Sequence, residues 1–503
     1  MPELKNDYGR LSSAAKEYLF RDHLMVVDGA KVASASGDML AVVDPSTNEP
    51  VGRVPAADSA DIDRAVRAAS QALNDGPWKR LTASERERLL LKLADLVERD
   101  RVMLAEIEVV ESGRVFGAVQ AFDSDLSVTC LRYMAGWATK LSGKTIDLSV
   151  PYAPGMKFFA YTKLSPIGVV AAILPWNVPL CQAVWKIAPA LAAGCTVVLK
   201  PSEMTPLGAL RLGELALEAG IPPGVVNIVT GTGRVAGAAL AAHPLVNKIS
   251  FTGSTAVGKE IARVGADGFK KVTLELGGKS PMVVLDDADL ANAIPGAAMA
   301  IYANHGQNCC AGSRLYVHTS VYDKVVAGIA DIAAATALGS GLDPATQMGP
   351  LVSAGQQQRV LGFVDRAVSA GAELIVGGTA LEHVGAYVRP AILANVDHSM
   401  EAVREEIFGP VLSVMRFNDE DEVLKLANDS AYGLGASIWT QDLKKAHRFS
   451  EAFQAGTVWT NIHNVLDMAL PFGGVKGSGM GHDLGEEAVL ANCNIKANVI
   501  NLT

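Results

Sequence analysis

Residues 166–200 read PIGVVAAILPWNVPLCQAVWKIAPALAAGCTVVLK, and their order decides the fold. IGVVAAIL is a short apolar run rich in β-branched residues, the pattern of a strand buried on both faces. VWKIAPALAAG has helical length and stops at Gly194, and CTVVLK is a second buried strand. The alternation continues through residues 207–266. LGALRLGELALEAG is a helix, VVNIVTG and VNKISFTG are strands, and STAVGKEIARVGA is a helix. After Glu275 a second series follows: PMVVLD, GSRLYVH, VYDKVVAGIADIAAATAL and ELIVGG. Strands separated by helices of this length predict an α/β protein with doubly wound, mainly parallel sheets. Two such layers are expected, with the switch near residue 275.

Residues 58–113 are helical, with apolar positions three and four apart. Ser84 is expected to open a capping box with Glu87, and Gly113 to end the last helix. Two stretches belong to neither α/β series. Residues 144–164 read as two extended strands around the turn PYAPG at 151–155, and the tail CNIKANVINL at 493–502 alternates with period two. Exposed strand edges are normally paired or covered, so both are candidate subunit contacts. An intramolecular hairpin with an added edge strand accounts for them equally well.

A chain of 503 residues is expected to split into two or three domains. Hydrophobic residues at 49% against 19% charged argue for dense globular cores. A formal charge of −9 argues against a nucleic-acid partner, which calls for a basic face. The N-terminus, MPELKNDYGR, carries charges where an export signal needs an apolar core, and no run approaches the ~20 apolar residues of a membrane span. The six cysteines are scattered without a CxxC pair, so no metal site is expected and a reducing cytoplasm fits best.

The chemistry concentrates at residues 306–314, GQNCCAGSR, between the apolar helix IPGAAMAIYA and the strand LYVH. An isolated cysteine is usually a small buried hydrophobe. Flanked by Gly, Asn, Gln and Ser in a connection, Cys309 instead sits among amides able to hold a thiolate and, later, an oxyanion. A thiolate nucleophile divides a difficult oxidation into acylation and hydrolysis.

GQNCCAGSR resembles the nucleophile signature of the aldehyde dehydrogenase family, and ELGGKSP at 275–281 resembles its glutamate signature. PWNVP (175–179), KPSE (200–203), FTGSTAVG (251–258), EEIFGP (405–410) and PFGGVKGSG (471–479) resemble its other blocks, in order. The resemblance runs from about residue 25 to the C-terminus. It implies a Rossmann-like NAD-binding domain at 15–142 and 166–276 and an α/β catalytic domain at 277–477. Residues 143–165 and 478–503 would form a small β element that assembles a homo-oligomer, a dimer of dimers.

The same resemblance implies roles. Cys309 is the nucleophile and Cys310 its buried neighbour. Glu275 is the general base for the hydrolytic water, and Asn177 donates to the oxyanion together with the Cys309 N–H. Lys200 and Glu203 hold the adenosine ribose, and the Glu203 charge favours NAD over NADP by repelling a 2′-phosphate. Gly253, Ser254 and Gly258 form the strand-to-helix turn facing the pyrophosphate. Gly233 belongs to a turn lining the adenine site. Trp176, Leu276, Glu406 and Phe408 serve the nicotinamide side. His305, four residues before Cys309, reads as structural rather than as a dyad partner. Asp483 stands where many members have Glu in a proposed proton path, which leaves that relay in doubt.

The stretches AGTVWTNIHNVLDMALPFGG, GKTIDLSVP and SPIGVVAAILPWNVPL most resemble members that oxidise phenylacetaldehyde. Val178, Gln182, Trp185, Met299, Tyr302, Asn308, Leu466 and Phe472 match the family's substrate funnel. Trp185 and Phe472 are expected to sandwich an aryl ring, with Met299 and Leu466 adapting around its methylene. An apolar funnel for medium-chain aliphatic aldehydes and an inactive structural homologue are the alternatives.

Overall fold

The computed structural model describes residues 5–503. Its first sheet has eight strands centred on Val169–Ile173. Thr196–Lys200 and Val226–Ile228 lie to one side, Val246–Thr252 and Lys271–Glu275 to the other, all five parallel. Every residue of Val169–Ile173 and Thr196–Lys200 is buried, which explains their unbroken apolar runs. Short antiparallel strands extend both edges: Gly479–Met480 beyond Lys271–Glu275, and Met25–Val27 with Ala30–Val32 beyond Val226–Ile228.

Strand order reverses at Val169–Ile173. The next two parallel strands add on one side, and Val246–Thr252 returns to the other. In open α/β sheets a ligand crevice lies outside the carboxyl ends at such a reversal. Here those ends lead into Trp176-Asn177 and Gly253-Ser254, and all four residues line one cavity.

The second sheet runs Glu373–Val376, Ala391–Ala394, Val411–Phe417, Arg314–His318, Pro281–Val284, Gly435–Trp439, Thr457–Thr460, antiparallel only at Glu373–Val376. The chain leaves the first sheet at Glu275 and enters the second at Pro281, as the switch near 275 anticipates. Cys309 lies in the loop leading into Arg314–His318. The carboxyl ends of one sheet therefore meet the amino ends of the other around Glu275 and Cys309.

A third sheet joins Cys493–Asn501, Phe158–Pro166 and Thr145–Ile146, all antiparallel. The tail pairs with the hairpin in unbroken register, from Cys493 opposite Pro166 to Asn501 opposite Phe158. Intramolecular pairing is thus present, yet Phe159, Ile495, Val499 and Ile500 keep exposed apolar side chains on these strands.

Of the helix signals, Gly113 holds: it ends Arg101–Ser112 at φ 78°. Ser84 does not. The helix Ala83–Arg99 is capped by Thr82, whose side chain accepts from Glu85 N while Glu85 bonds back to the Thr82 N–H. Two overlapping boxes, Thr82/Glu85 and Ser84/Glu87, compete in the sequence, and the helix begins at the earlier one. Among the described residues, no helix is long and apolar enough to cross a membrane.

Candidate active site

The helix Leu290–Tyr302 ends in a short turn where Asn304 and His305 adopt left-handed backbone, at φ 50° and 58°. Such conformations cost about 1–3 kcal/mol each and persist where surrounding bonds enforce them. The bonds are present. Asn304 Nδ2 donates to the carbonyls of Asn177 (3.2 Å) and Gln307 (2.9 Å). Asn177 Nδ2 also donates to the Gln307 carbonyl, at 3.1 Å. Gln307 Oε1 accepts from Val352 N at 3.0 Å. The Asn177 side chain is thereby fixed beside the loop carrying Cys309. His305 is buried, burial pushes its imidazole down to about 3, and Nε2 accepts from Gly349 N at 3.1 Å. It is a neutral structural residue.

Cys309 is half-buried and Cys310 fully buried. The adjacent Cys310 thiol, then burial, then the nearby charges of Glu275 and Glu406 push the Cys309 thiol well above its usual range. Its hydrogen-bond neighbour is an acceptor, Asn308 Oδ1, at 3.8 Å. Among the described residues, no amide N–H is seen donating to the Cys309 sulfur. Glu275 is 3% exposed, and neither carboxylate oxygen has a hydrogen-bond partner among the described residues. Burial, reinforced by the Asp483 charge and opposed by Lys186, raises its carboxyl well above the usual range.

Both groups line a cavity of about 700 Å³ together with Trp176, Asn177, Gln182, Gly253, Ser254, Leu276, Glu406 and Phe408. Ser254 caps the helix Thr255–Asp267, and the buried Thr252 hydroxyl has no hydrogen-bond partner among the described residues. Glu406 is held by Gly278 N at 3.0 Å. Burial pushes its carboxyl up to about 7, against the Gly278 N–H and the Lys279 charge. A Cβ on Gly277 would stand 2.3 Å from Glu406 Oε2, so a side chain there would push this carboxylate aside. Phe408 is strained at φ 59°, its carbonyl anchored by Gln356 Nε2 at 2.7 Å, and its ring meets Trp176 edge to face at 5.2 Å.

A second cluster lies at the end of strand Thr196–Lys200. Lys200 Nζ is 3.2 Å from Glu203 Oε2, and Gly233 N donates to Glu203 Oε1 at 3.5 Å. Burial opposes ionisation of Glu203, but the Lys200 charge and these bonds hold it below its usual range. Gly258 lines neither cluster. A Cβ there would stand 2.4 Å from Leu276 Cδ2, so it allows helix and strand to pack closely.

The expected substrate residues separate into two groups. Trp185 and Phe472 are buried and pack against each other, ring centroids 6.1 Å apart and planes tilted by 59°, which leaves no room for the expected sandwiched ring between them. Both belong to one apolar cluster with Val178, Leu466 and Cys309. Asn308 donates to Asn464 Oδ1 at 3.2 Å beside the cysteines. Met299 and Tyr302 are not with them. They line a separate cavity of about 570 Å³ with Pro295, Asn304 and His305. Met299 is 63% exposed, and the Tyr302 hydroxyl donates to the Ala391 carbonyl at 3.3 Å. Residues 295, 299 and 302 share one helix face by their spacing of four and seven, and that face lines this second cavity.

Lys186 escaped the sequence reading. Every residue of the helix Pro179–Ala193 is buried, and its lone cation pairs with Asp483 at 2.5 Å. One lysine inside VWKIAPALAAG was a legible signal. Beyond it, buried Lys248 donates to Asn492 Oδ1 at 3.1 Å, with burial pulling its ammonium down to about 8. No group of three or more His, Cys, Asp or Glu side chains among the described residues could hold a metal ion.

The aldehyde dehydrogenase family matches residues 31–498, and the chain belongs to that family. It is 49% identical over 469 residues to a phenylacetaldehyde dehydrogenase of Pseudomonas fluorescens, covering 93% of both chains. It is 46% identical to retinal dehydrogenase 2 of Homo sapiens, over 93% of this chain and 90% of that one. The NAD+ complex of an aldehyde dehydrogenase from Bacillus cereus superposes with a TM-score of 0.96 at 43% identity, covering 98% of this chain and 99% of the other. The fold is that of an aldehyde dehydrogenase.

Proposed function

We propose that the protein oxidises phenylacetaldehyde, or a related aryl aldehyde, to the carboxylic acid with NAD, through a thioester on Cys309. The observation that carries the aryl assignment is the Trp185–Phe472 pair, in the same apolar cluster as Cys309. The 49% identity to a phenylacetaldehyde dehydrogenase supports it.

The cavity suits a dinucleotide. Its volume falls within the usual ligand range of ~300–1,000 Å³. The helix N-terminus at Ser254 suits a pyrophosphate, Lys200 and Glu203 suit the adenosine ribose, and Glu406 with Phe408 suits the nicotinamide ribose and ring. Bound there, NAD supplies the hydride acceptor.

Cys309 gives up its proton to water in the cavity. The sulfur then adds to the aldehyde carbon, giving a thiohemiacetal oxyanion. Asn177 has a second amide proton beyond the one given to Gln307, and it donates to that oxyanion with the Cys309 N–H. Loss of hydride from carbon restores the carbonyl as a thioester. Glu275 then takes a proton from a water that attacks this carbonyl. The carbon–sulfur bond breaks, the acid leaves and Cys309 regains its proton.

Residues 15–142 with 166–276 form the cofactor domain in this proposal, and 277–477 the catalytic domain. The segments 143–165 and 478–503 assemble the homo-oligomer, a role supported by exposed Phe159, Ile495 and Val499. Six unpaired cysteines suit a reducing cytoplasm. Intact Cys309, Glu275 and Asn177 weigh against an inactive homologue. The second substrate reading is a medium-chain aliphatic aldehyde, and 46% identity to a retinal dehydrogenase supports a non-benzylic aldehyde as the alternative. Comparing kcat/KM for phenylacetaldehyde, hexanal, acetaldehyde and betaine aldehyde decides between them. A substrate ring packed against this aromatic pair is worth roughly 10- to 200-fold over the short chain. Hexanal matching phenylacetaldehyde removes the aryl assignment.

A further inference from the structure

After the strand Thr457–Thr460 the chain turns back toward the nucleophile, with Asn461 and Asn464 in left-handed backbone at φ 57° and 63°. Two adjacent side chains of this loop reach the residues on either side of Cys309. His463 Nε2 lies 2.8 Å from the Cys310 carbonyl, and its Nδ1 lies 2.8 Å from Ser437 Oγ. A carbonyl only accepts, so Nε2 carries the hydrogen and Nδ1 accepts from the Ser437 hydroxyl. Burial pushes this imidazole down to about 4, which keeps the ring neutral in that tautomer. The ring stacks on Trp459 at 4.6 Å, and Trp459 Nε1 donates to the Val465 carbonyl at 2.8 Å.

Asn464 makes the complementary grip. Its Oδ1 accepts from Asn308 Nδ2 at 3.2 Å and from the Cys310 thiol at 3.3 Å. Its Nδ2 donates to the Ala300 carbonyl at 3.2 Å, on the helix preceding the nucleophile loop. Among the described residues, neither side chain makes a hydrogen bond to Cys309. Two residues later the loop supplies Leu466, part of the apolar cluster beside Cys309.

We propose that His463 and Asn464 are positioning residues that sort the two adjacent thiols, pinning Asn308 and Cys310 so that only the Cys309 sulfur is free to meet the aldehyde. The proposal rests on Cys309 being the nucleophile. Cys309 and Cys310 are the two central residues of a turn closed by the Ala311 N–H on the Asn308 carbonyl at 3.1 Å, and both sulfurs lie near Asn308 Oδ1. A small rotation of the loop would bring the wrong sulfur to the cavity. Three bonds on the flanking residues oppose that rotation, and the reacting sulfur itself makes only a long contact with Asn308 Oδ1, at 3.8 Å. The loop that shapes the aldehyde pocket thereby also sets the aim of the nucleophile.

The test uses the full chain with NAD. It measures the first-turnover NADH burst by rapid mixing and the iodoacetamide labelling of each cysteine by peptide mass spectrometry. The wild type labels at Cys309 in preference to Cys310. His463→Phe and Asn464→Leu are each expected to slow the burst roughly tenfold, the size of an ordinary hydrogen bond, and to raise the Cys310 share of label. NAD affinity should stay unchanged, and His463→Gln, which restores a donor, should recover most of the burst. A merely structural role would lower the amount of NAD-binding protein without altering the labelling ratio per site. Should His463→Phe bind no NAD, Asn464→Ala decides alone, because it leaves the Trp459 stack intact. Variants that bind NAD normally and keep both burst and selectivity overturn the proposal. A burst that survives Cys309→Ala and is lost in Cys310→Ala overturns instead the choice of nucleophile.

Discussion

Lys186 Nζ lies 2.5 Å from Asp483 Oδ2, and the two buried charges act in opposite directions on Glu275. Asp483 raises the Glu275 carboxyl and Lys186 lowers it. Asp483→Asn removes the raising charge and leaves the cation, so Glu275 ionises at lower pH. The acid limb of the kcat–pH profile is expected to move toward lower pH. Breaking a buried pair also costs roughly 3–5 kcal/mol, so thermal unfolding should occur well below the wild-type midpoint. An acid limb that stays in place would disconnect the pair from Glu275.

Exchanging the twin cysteines separates their duties. Cys309→Ala is expected to abolish NADH production while NAD still binds, because the half-buried sulfur facing the cavity is the one lost. Cys310→Ala should retain substantial activity. Steady-state rates with NAD titrations on both variants check this, and the reverse pattern would mean that Cys310 attacks.

Glu275→Gln keeps the shape of the base and removes its charge. Acylation requires the sulfur and release requires an activated water. Stopped-flow absorbance should show a fast rise of about one NADH per site followed by little further turnover. Absence of the first NADH would place Glu275 earlier, in withdrawing the Cys309 proton. The raised Cys309 thiol makes that earlier role the sharper alternative.

Glu203 stands 3.2 Å from Lys200 with 42% of its side chain exposed, open to a ribose and hostile to an added phosphate. Glu203→Gln should raise the NADP-to-NAD ratio of kcat/KM by about tenfold or more, the effect of one removed like-charge contact. A wild type indifferent to the 2′-phosphate would contradict the assignment.

The sequence revealed most where chemistry is local. The alternation around residues 166–200 gave both sheets, and Gly113 marked a helix end, because side-chain period and left-handed turns are written over a few residues. Thr82 and Ser84 begin equally good capping boxes, and only packing selected the first. Met299 and Tyr302 matched the family's substrate positions, but their helix face opens onto another cavity, a matter of rotation about the axis. His463 and Asn464 meet the nucleophile loop across more than 150 positions. Nothing in a window of neighbouring residues records such a meeting. Lys186 was legible in principle, since a lysine in a wholly apolar helix demands a partner.

The pairing of Cys493–Asn501 with Phe158–Pro166 sets an order of events during synthesis. The inner strand leaves the ribosome 327 residues before the first residue of its partner, taking Pro166 and Cys493 as the nearer ends. At roughly 5–20 residues per second that interval is about 16–65 s, during which the edge later covered by the tail has no mate. Asp483 and Asn492 arrive in the same final stretch, so Lys186 and Lys248 also wait uncompensated. A nascent chain therefore holds its cysteine, its glutamate and both sheets' central strands long before it holds the residues that complete them. The last twenty-one residues are what turn a nearly finished fold into a working one.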